Sequence, residues 1–331
     1  MRILALTITK DDTTSWYRAA GVFRDMMRKI PGLTIDTHDI SKIGNLTWST
    51  LTQYDIVFQQ RPYASLPLTR FLKDLHIPVW IDYDDNLFEI PQANNRAFDT
   101  FSDEKVHQNL AEIAKLADVI TVSTAALKTL YGPLNKNVRV VPNALPFDFI
   151  GEPAQGTTQK TVLWRGGDSH RMDLRVHEIQ ILQAQDKYKD WNFVYAGYNP
   201  WEFYLPNKKY RKPEDPVLYF KWLKEYRPRV MQVPLYNDFF NHCKSNIAAL
   251  EGTFSGAVCL VPDWEEWNVI PGTIKYKDPQ DYGEKLDFLL REQISYNKYR
   301  NQALDYIREY YDLKHVNRLR VDVVNELMEN A

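Results

Sequence analysis

The sequence predicts an α/β protein made of two doubly wound parallel sheets that face each other across a cleft. Three observations carry this. Short apolar runs alternate with amphipathic stretches along nearly the whole chain, the pattern of parallel strands joined by helices. The alternation breaks at residues 144–160, ALPFDFIGEPAQGTTQK, a Pro-, Gly- and Thr-rich linker, and then restarts. The length of 331 residues also exceeds what one core ordinarily serves.

The first unit opens with RILALTI (2–8), a strand-length apolar run. In 16–30, Trp16, Ala19, Ala20, Phe23 and Ile30 recur at helical spacing behind Thr14 or Ser15 as N-cap. Strands follow at 33–38, 55–60, 77–82, 118–124 and 138–143, with helices at 68–75, 102–117 and 125–131 between them. The second unit has strands at 161–164, 192–197, 230–236, 257–262 and 272–277. One helix runs to about residue 187 and another spans 245–256. Residues 198–229 read as a Tyr-, Trp-, Lys- and Arg-rich insertion. From about 279 the chain is helical. The expected division is 1–150, rejoined by a C-terminal helix over 313–331, and 151–312.

Composition narrows the function classes. A net charge of −2 gives no global electrostatic case for nucleic acid or acidic lipid. Cys243 and Cys259 are the only cysteines, too few for a disulfide framework or a Cys-rich zinc site. The N-terminus begins as a strand rather than a signal peptide, and no run approaches the ~18 apolar residues of a membrane span. A soluble, cytoplasmic protein without membrane insertion is expected. The 13% aromatic content suits a surface for sugars or bases, and a large core equally.

In open parallel sheets ligands bind beyond the carboxyl ends of the strands, so the loops there are searched for chemistry. The first, KDDTTSW, offers helix-start amides to an anion, though a simple cap explains it as well. No G-x-G-x-x-G or Walker sequence occurs, which argues against a dinucleotide oxidoreductase or a P-loop enzyme. In LWRGGDSH, Gly166 and Gly167 allow close backbone approach to a ligand, and Arg165 sets a phosphate-shaped guanidinium beside them. In FNHCKSNIAALEGTFSGAVCLVP, Lys244 and Ser245 stand at a helix start that favours an anion. Glu251, between Leu250 and Gly252, could accept two hydrogen bonds from a ribose diol. The bland alternatives are a Gly-Gly turn beside a surface arginine, and an exposed helical glutamate.

VITVSTAALKTLY, VRVVPNAL, WRGG and CKSNIAALEGTFSGAVCLVP together resemble the retaining GT-B glycosyltransferases of the large family 4 type, above all their short, phage-type relatives. The likeness runs through nearly the whole chain as pattern and is most specific over 243–262. It implies a GT-B fold of two Rossmann-like domains, an acceptor domain and then a nucleotide-sugar donor domain. In that family a Glu-x7-Glu element contacts the donor. Its second glutamate matches Glu251, which would hold the nucleotide ribose; the first falls on Cys243. Amides around Asn246 and Ile247 match those that hold the diphosphate. Arg165 and Lys244 are counterparts of the cations that neutralise it. DDTTS stands where the family has a glycine-rich first loop.

VWIDYDDNLFEIP (79–91) turns abruptly acidic. Asp82-Tyr83-Asp84 has the spelling of a metal-binding D-x-D, but three-residue matches are weak. Two α/β units offer cations and helix dipoles for phosphates instead, so no metal or other cofactor is expected. By the resemblance, Asp84 falls at the family's histidine near the reacting sugar, and is expected to position or deprotonate the acceptor hydroxyl. Asp82 reads as a supporting residue on the acceptor side, Asp85 as a cap, and Arg18 as a charge facing the cleft or the solvent. His170, His177 and His242 show no metal-ligand spacing and read as ordinary polar positions.

The implied chemistry is transfer of a sugar from a nucleotide-diphosphate sugar to a hydroxyl with retention. Arg165, Lys244 and helix amides would stabilise charge on the departing diphosphate. The phage-like character suggests a 5-hydroxymethylated pyrimidine in duplex DNA as acceptor, flipped out of the stack. Lys208, Lys209, Arg211, Lys212, Lys221, Lys224, Arg227 and Arg229, interleaved with aromatics, would serve phosphates and bases. A polysaccharide, lipid-linked or protein acceptor is the alternative. A non-catalytic nucleotide-sugar binder and a metal-dependent hydrolase are the competing classes.

Overall fold

The computed structural model describes residues 1–9, 13–45, 47–156, 158–200, 208–291 and 295–329. The first lobe runs β1 (Arg2–Thr7), α1 (Thr13–Arg18), α2 (Ala20–Lys29), β2 (Thr34–Asp39), α3 (Trp48–Leu51), β3 (Ile56–Gln60), α4 (Leu66–Asp74), β4 (Val79–Tyr83), α5 (Asn95–Phe101), α6 (Glu104–Leu116), β5 (Val119–Val122), α7 (Ala125–Tyr131) and β6 (Val138–Val140). After α8 (Phe147–Ile150) the second lobe runs β7 (Gln159–Gly166), α9 (Arg171–Val176), α10 (Glu178–Lys187), β8 (Asn192–Gly197), β9 (Lys208–Arg211), α11 (Pro216–Tyr226) and β10 (Pro228–Gln232). It continues with α12 (Phe239–His242), α13 (Ile247–Phe254), β11 (Val258–Pro262), α14 (Glu265–Asn268), β12 (Ile274–Tyr276), α15 (Pro279–Leu290), α16 (Tyr296–Tyr310) and α17 (Leu313–Glu329).

Each lobe is a six-stranded sheet, in the orders β2-β1-β3-β4-β5-β6 and β12-β11-β10-β7-β8-β9, and every pairing is parallel. The expected pair of doubly wound sheets is therefore present. Strand order reverses between β1 and β3 in the first sheet and between β7 and β10 in the second. Ligands of such sheets sit at the carboxyl ends beside that reversal, where flanking helices diverge and leave a crevice. The loops after β1, β3, β7 and β10 thus border that crevice.

Both sheets are covered on their two faces, so their central strands read as unbroken apolar runs. In the first lobe, α4, α6 and α7 cover one face, while α2 covers the other through Val22, Phe23 and Met26 and α17 through Leu313, Val316, Val323, Val324 and Leu327. In the second, α11, α13 and α16 cover one face and α9, α10 and α15 the other. Among the described residues no helix is long and apolar enough to cross a membrane.

Two local expectations are corrected. The helix expected over 16–30 breaks at Ala19 (φ −136°, ψ −92°) into α1 and α2. The chain tightens there: a Cβ on Gly21 would lie 2.2 Å from the Trp16 carbonyl oxygen. The supposed insertion over 198–229 contributes to the second unit's own α/β pattern, in a strand and a helix among its described residues. β9 pairs with β8, and α11 starts at Pro216 with the Asp215 carboxylate accepting the Val217 N–H. Four residues of KKYR carry too little apolar signal to announce an edge strand.

Candidate active site

The four loops named by the topology do converge. A cavity of about 210 Å³ between the lobes is lined by Thr13, Thr14 and Tyr17 of α1, Arg61 after β3, Asp84 and Asp85 after β4, and Asn143. The second lobe contributes Arg165, His170, Lys244, Ser245, Ile247 and Ala248. A further space of about 360 Å³ shares Thr13, Thr14, Tyr17 and Arg165 with the first, and reaches Gly166, Gly167, Tyr219 and Glu251. Residues 10–12 of the first loop lie outside the described residues.

Glu251 lines the second space, against Tyr17 and Arg165, which border both. Its side chain is 2% exposed. Oε1 accepts from the Tyr17 hydroxyl at 2.6 Å, and Oε2 from Tyr219 at 3.0 Å. Arg165 Nε lies 2.7 Å from Oε2 as an ion pair. Burial, and then the Glu251 charge, push both tyrosines well above their ordinary range, so they remain phenols that donate. Burial opposes the Arg165 charge, but Glu251 and the tyrosines outweigh it and hold the guanidinium above its usual value. The carboxylate thus aims Arg165 at the gap and ties α1 to α13 across the lobes.

Gly166 has a packing reason as well as exposure to the cavity. A Cβ there would lie 2.7 Å from the Trp164 ring and 3.1 Å from His170. Gly167 meets no such obstacle, and its backbone stays open toward the second space.

Lys244 sits over the Phe240 ring at 4.2 Å and 3.8 Å from Asp85 of the facing lobe. Ser245 accepts from Asn143 Nδ2 at 2.8 Å. The Asn246 amide, expected to face a diphosphate, has a partner within the chain. Its N–H goes to Glu266 Oε1 at 3.3 Å, and its side chain to the Glu266 carbonyl oxygen and the Tyr311 hydroxyl. Ile247 and Ala248 reach the cavity wall instead. Burial, partly offset by that N–H and reinforced by Glu265, raises Glu266 to about 8.

The acidic segment divides its partners. Asp84 is gripped by two nitrogens of Arg61, with Nη2–Oδ2 at 2.7 Å. Arg61 holds φ +48°, a left-handed conformation that costs a residue with a Cβ on the order of 1 kcal/mol. Asp82 and Arg18 do not face the cavity, which corrects the expected acceptor contacts. Arg18 donates from Nε and Nη2 to Asp82 at 2.9 and 2.6 Å, and from Nη1 to the Val141 carbonyl at 2.6 Å, with both side chains nearly fully buried. Every Asp of the D-x-D therefore already faces a cation of the chain. Among the described residues no group of three or more His, Cys, Asp or Glu is arranged to hold a metal.

Cys243 is wholly buried against the core of the first lobe, and Thr124 donates to its carbonyl at 3.0 Å. Burial pushes its thiol up to about 12. Where the resemblance implies a donor-contacting glutamate, this chain has a lobe-to-lobe packing residue.

Sequence reasoning missed Tyr17, Tyr219 and Arg61. Tyr17 falls outside the apolar stripe expected over 16–30, although it is buried, and Tyr219 sat inside the supposed insertion. Arg61 had one usable signal: it follows a strand directly and precedes a proline in a crossover loop.

No family model matches the chain, and no curated protein matches its sequence. Solved structures match its fold. A sucrose-phosphate synthase from Thermosynechococcus elongatus has a TM-score of 0.71 at 10% identity, over 100% of both chains. A UDP-forming α,α-trehalose-phosphate synthase from Burkholderia xenovorans has 0.65 at 12%, over 99% of both. A trehalose-6-phosphate synthase studied for glycosyl transfer with retention has 0.66 at 10%, over 98% of this chain and 99% of that one. The shared architecture is the GT-B fold.

Proposed function

We propose that the protein is a glycosyltransferase that moves a sugar from a nucleotide-diphosphate sugar to an acceptor hydroxyl with retention. One observation carries the reading: Arg165 and Lys244 flank a cavity that lies at the strand-order reversals of two facing parallel sheets. The donor would lie along the second lobe, residues 151–312. Its diphosphate would sit between Arg165, Lys244 and the start of α13, and its nucleoside in the space by Gly166, Gly167 and Glu251. As the bond to the anomeric carbon breaks, charge develops on the diphosphate, where fixed cations lower the barrier. A ribose diol would replace Tyr17 or Tyr219 on Glu251. The first lobe, residues 1–150 with α17, would present the acceptor. Asp84, with both oxygens already engaged by Arg61, would orient the acceptor hydroxyl as a third hydrogen-bond partner.

The acceptor wall carries Asp84 and Asp85 against Arg61, with Thr13, Thr14, Tyr17 and Asn143. An acidic wall with hydroxyl and amide groups suits an uncharged polyol better than a phosphodiester. The reading with duplex DNA as acceptor draws on the basic segment 208–229. There Arg211 pairs with Glu214 and stacks over Trp222, Arg227 binds the Gln155 carbonyl, and Arg229 packs over Trp191 and Tyr296. Fewer cations of that segment are left for phosphates than the sequence suggests, so we favour a saccharide or lipid-linked hydroxyl. Residues 201–207 of that segment lie outside the described residues.

The test is release of nucleoside diphosphate from a panel of nucleotide sugars, alone and with saccharide or hydroxymethylcytosine DNA acceptors. Anomeric configuration of the product is read by NMR. Release stimulated by one acceptor class supports transfer and names the class. Tight binding without release would favour a non-catalytic binder, and loss of release with EDTA would favour the metal-dependent reading.

A further inference from the structure

His170 lines the same cavity as Arg165 and Lys244 and is held there by a built support. Its Nδ1 lies 2.7 Å from Asp173 Oδ2. Asp173 is 4% exposed, and its other oxygen accepts from the Tyr236 N–H and from Asn241 Nδ2, both at 2.8 Å. Two groups of the segment after β10 thus fix one carboxylate, and that carboxylate fixes the ring. Trp164 packs edge-on against the imidazole with centroids 6.5 Å apart, and Gly166 leaves the room the ring needs. With Nδ1–H given to Asp173, Nε2 is the remaining polar atom, and no described residue bonds it.

We propose that His170, oriented by Asp173, is a proton-carrying contact to the leaving diphosphate and makes donor binding depend on pH. This rests on the reading of the cavity as a nucleotide-sugar site. A neutral ring with its proton on Nδ1 presents a lone pair from Nε2, which repels a phosphate oxygen. Only the imidazolium donates from both nitrogens. Binding of the diphosphate is therefore coupled to proton uptake, and the affinity His170 adds is present at acid pH and lost as pH rises. Other charges face the same space and set a background: Arg165 and Lys244 from the same lobe, and Arg61, Asp84 and Asp85 from the other. Asp168 and Arg171 adjoin His170 in the chain. In the reaction the electron pair of the cleaved bond stays on the phosphate oxygen, the acceptor oxygen forms the new bond, and its proton passes to the phosphate. His170 keeps its own proton, and its hydrogen bond strengthens as charge builds.

The experiment is calorimetric titration of the intact protein with UDP, GDP, ADP and dTDP at about pH 6 and about pH 8.5. The tightest ligand is then carried through His170→Gln, His170→Lys and Asp173→Asn. Wild type is expected to bind about tenfold more weakly at the higher pH than His170→Gln's own pH trend accounts for. His170→Gln should lose about tenfold at the lower pH, and His170→Lys should bind more tightly than wild type at the higher pH, an outcome no merely structural histidine produces. Asp173→Asn should weaken binding at the lower pH, with circular dichroism reporting that the fold is kept. If wild type binds one of the four and His170→Gln follows its pH curve, or His170→Lys binds no better than His170→Gln, this inference is wrong and the site reading stands. If wild type binds none, the site reading falls and takes the inference with it.

Discussion

The two lobes are built alike and face the gap with opposite electrical character. Both are six-stranded parallel sheets whose strand-order reversals open toward each other. The second presents Arg165, Lys244 and His170, and buries the carboxylates nearest them, Glu251 beneath Arg165 and two tyrosines and Asp173 behind His170. The first presents Asp84 and Asp85 against a single Arg61, among hydroxyl and amide groups. The shared architecture supplies the crevice; the charges assign the roles. A cationic wall suits a leaving group that gains negative charge, and an acidic, hydroxyl-bearing wall suits an uncharged nucleophile.

The comparison breaks most sharply at Arg165. Arg165→Ala is expected to lower kcat/KM by about 10²–10³-fold, since a fixed cation at a developing oxyanion is worth that much. Donor-dependent turnover measures it, and a loss below tenfold would remove Arg165 from the cationic wall. Arg18→Ala should act on the other lobe's framework alone. Breaking this buried pair leaves Asp82 uncompensated, at a cost of about 3–5 kcal/mol, while activity per folded molecule stays unchanged. Urea unfolding and active-site titration separate the two effects. A direct acceptor role for Asp82 predicts instead that activity falls with stability intact.

Asp84→Asn tests the acceptor wall. It should lower kcat by about 10- to 100-fold through lost orientation of the hydroxyl, and leave nucleoside diphosphate affinity nearly unchanged. Equal losses in both would mean that Asp84 serves the donor. The smallest effect concerns Glu266 of α14, which accepts from the Asn246 N–H just before α13. Its folded-state pKa of about 8 exceeds the ordinary carboxylate value, so the folded state favours the protonated form. That contribution is complete at acid pH and fades as pH rises through about 8. Glu266→Gln keeps an acceptor for the Asn246 N–H and should raise Tm by about 2–4 °C near pH 9, with little change near pH 4. A rise of the same size at both pH values would contradict the buried-acid account.

The fold was largely legible because buried parallel strands announce themselves as apolar runs between amphipathic helices. The run at 2–8 and the linker at 144–160 needed no tertiary information. β9 did not share that signal, because an edge strand of KKYR spends its side chains on Pro200, Trp222 and Glu214 rather than on a core. The donor wall was legible by position, since Arg165 stands at the carboxyl end of a strand and Lys244 just before a helix. The partners that aim them were not: Tyr17, Tyr219 and Asp85 reach Glu251 and Lys244 from segments 32 to 234 residues away in the chain or from the facing lobe. Asp82 and Asp84 look equivalent in the sequence, yet one ends in a buried ion pair and the other at the cavity. That difference arises from where β4 ends, at Tyr83, between them.

The most direct measurement is a crystal structure with the tightest-binding nucleoside diphosphate. The account predicts diphosphate density between Arg165 and Lys244 at the start of α13, with the ribose toward Glu251 and a Tyr17 or Tyr219 hydroxyl displaced from it. Diphosphate density against Asp84 and Asp85, or outside the gap between the lobes, would contradict it.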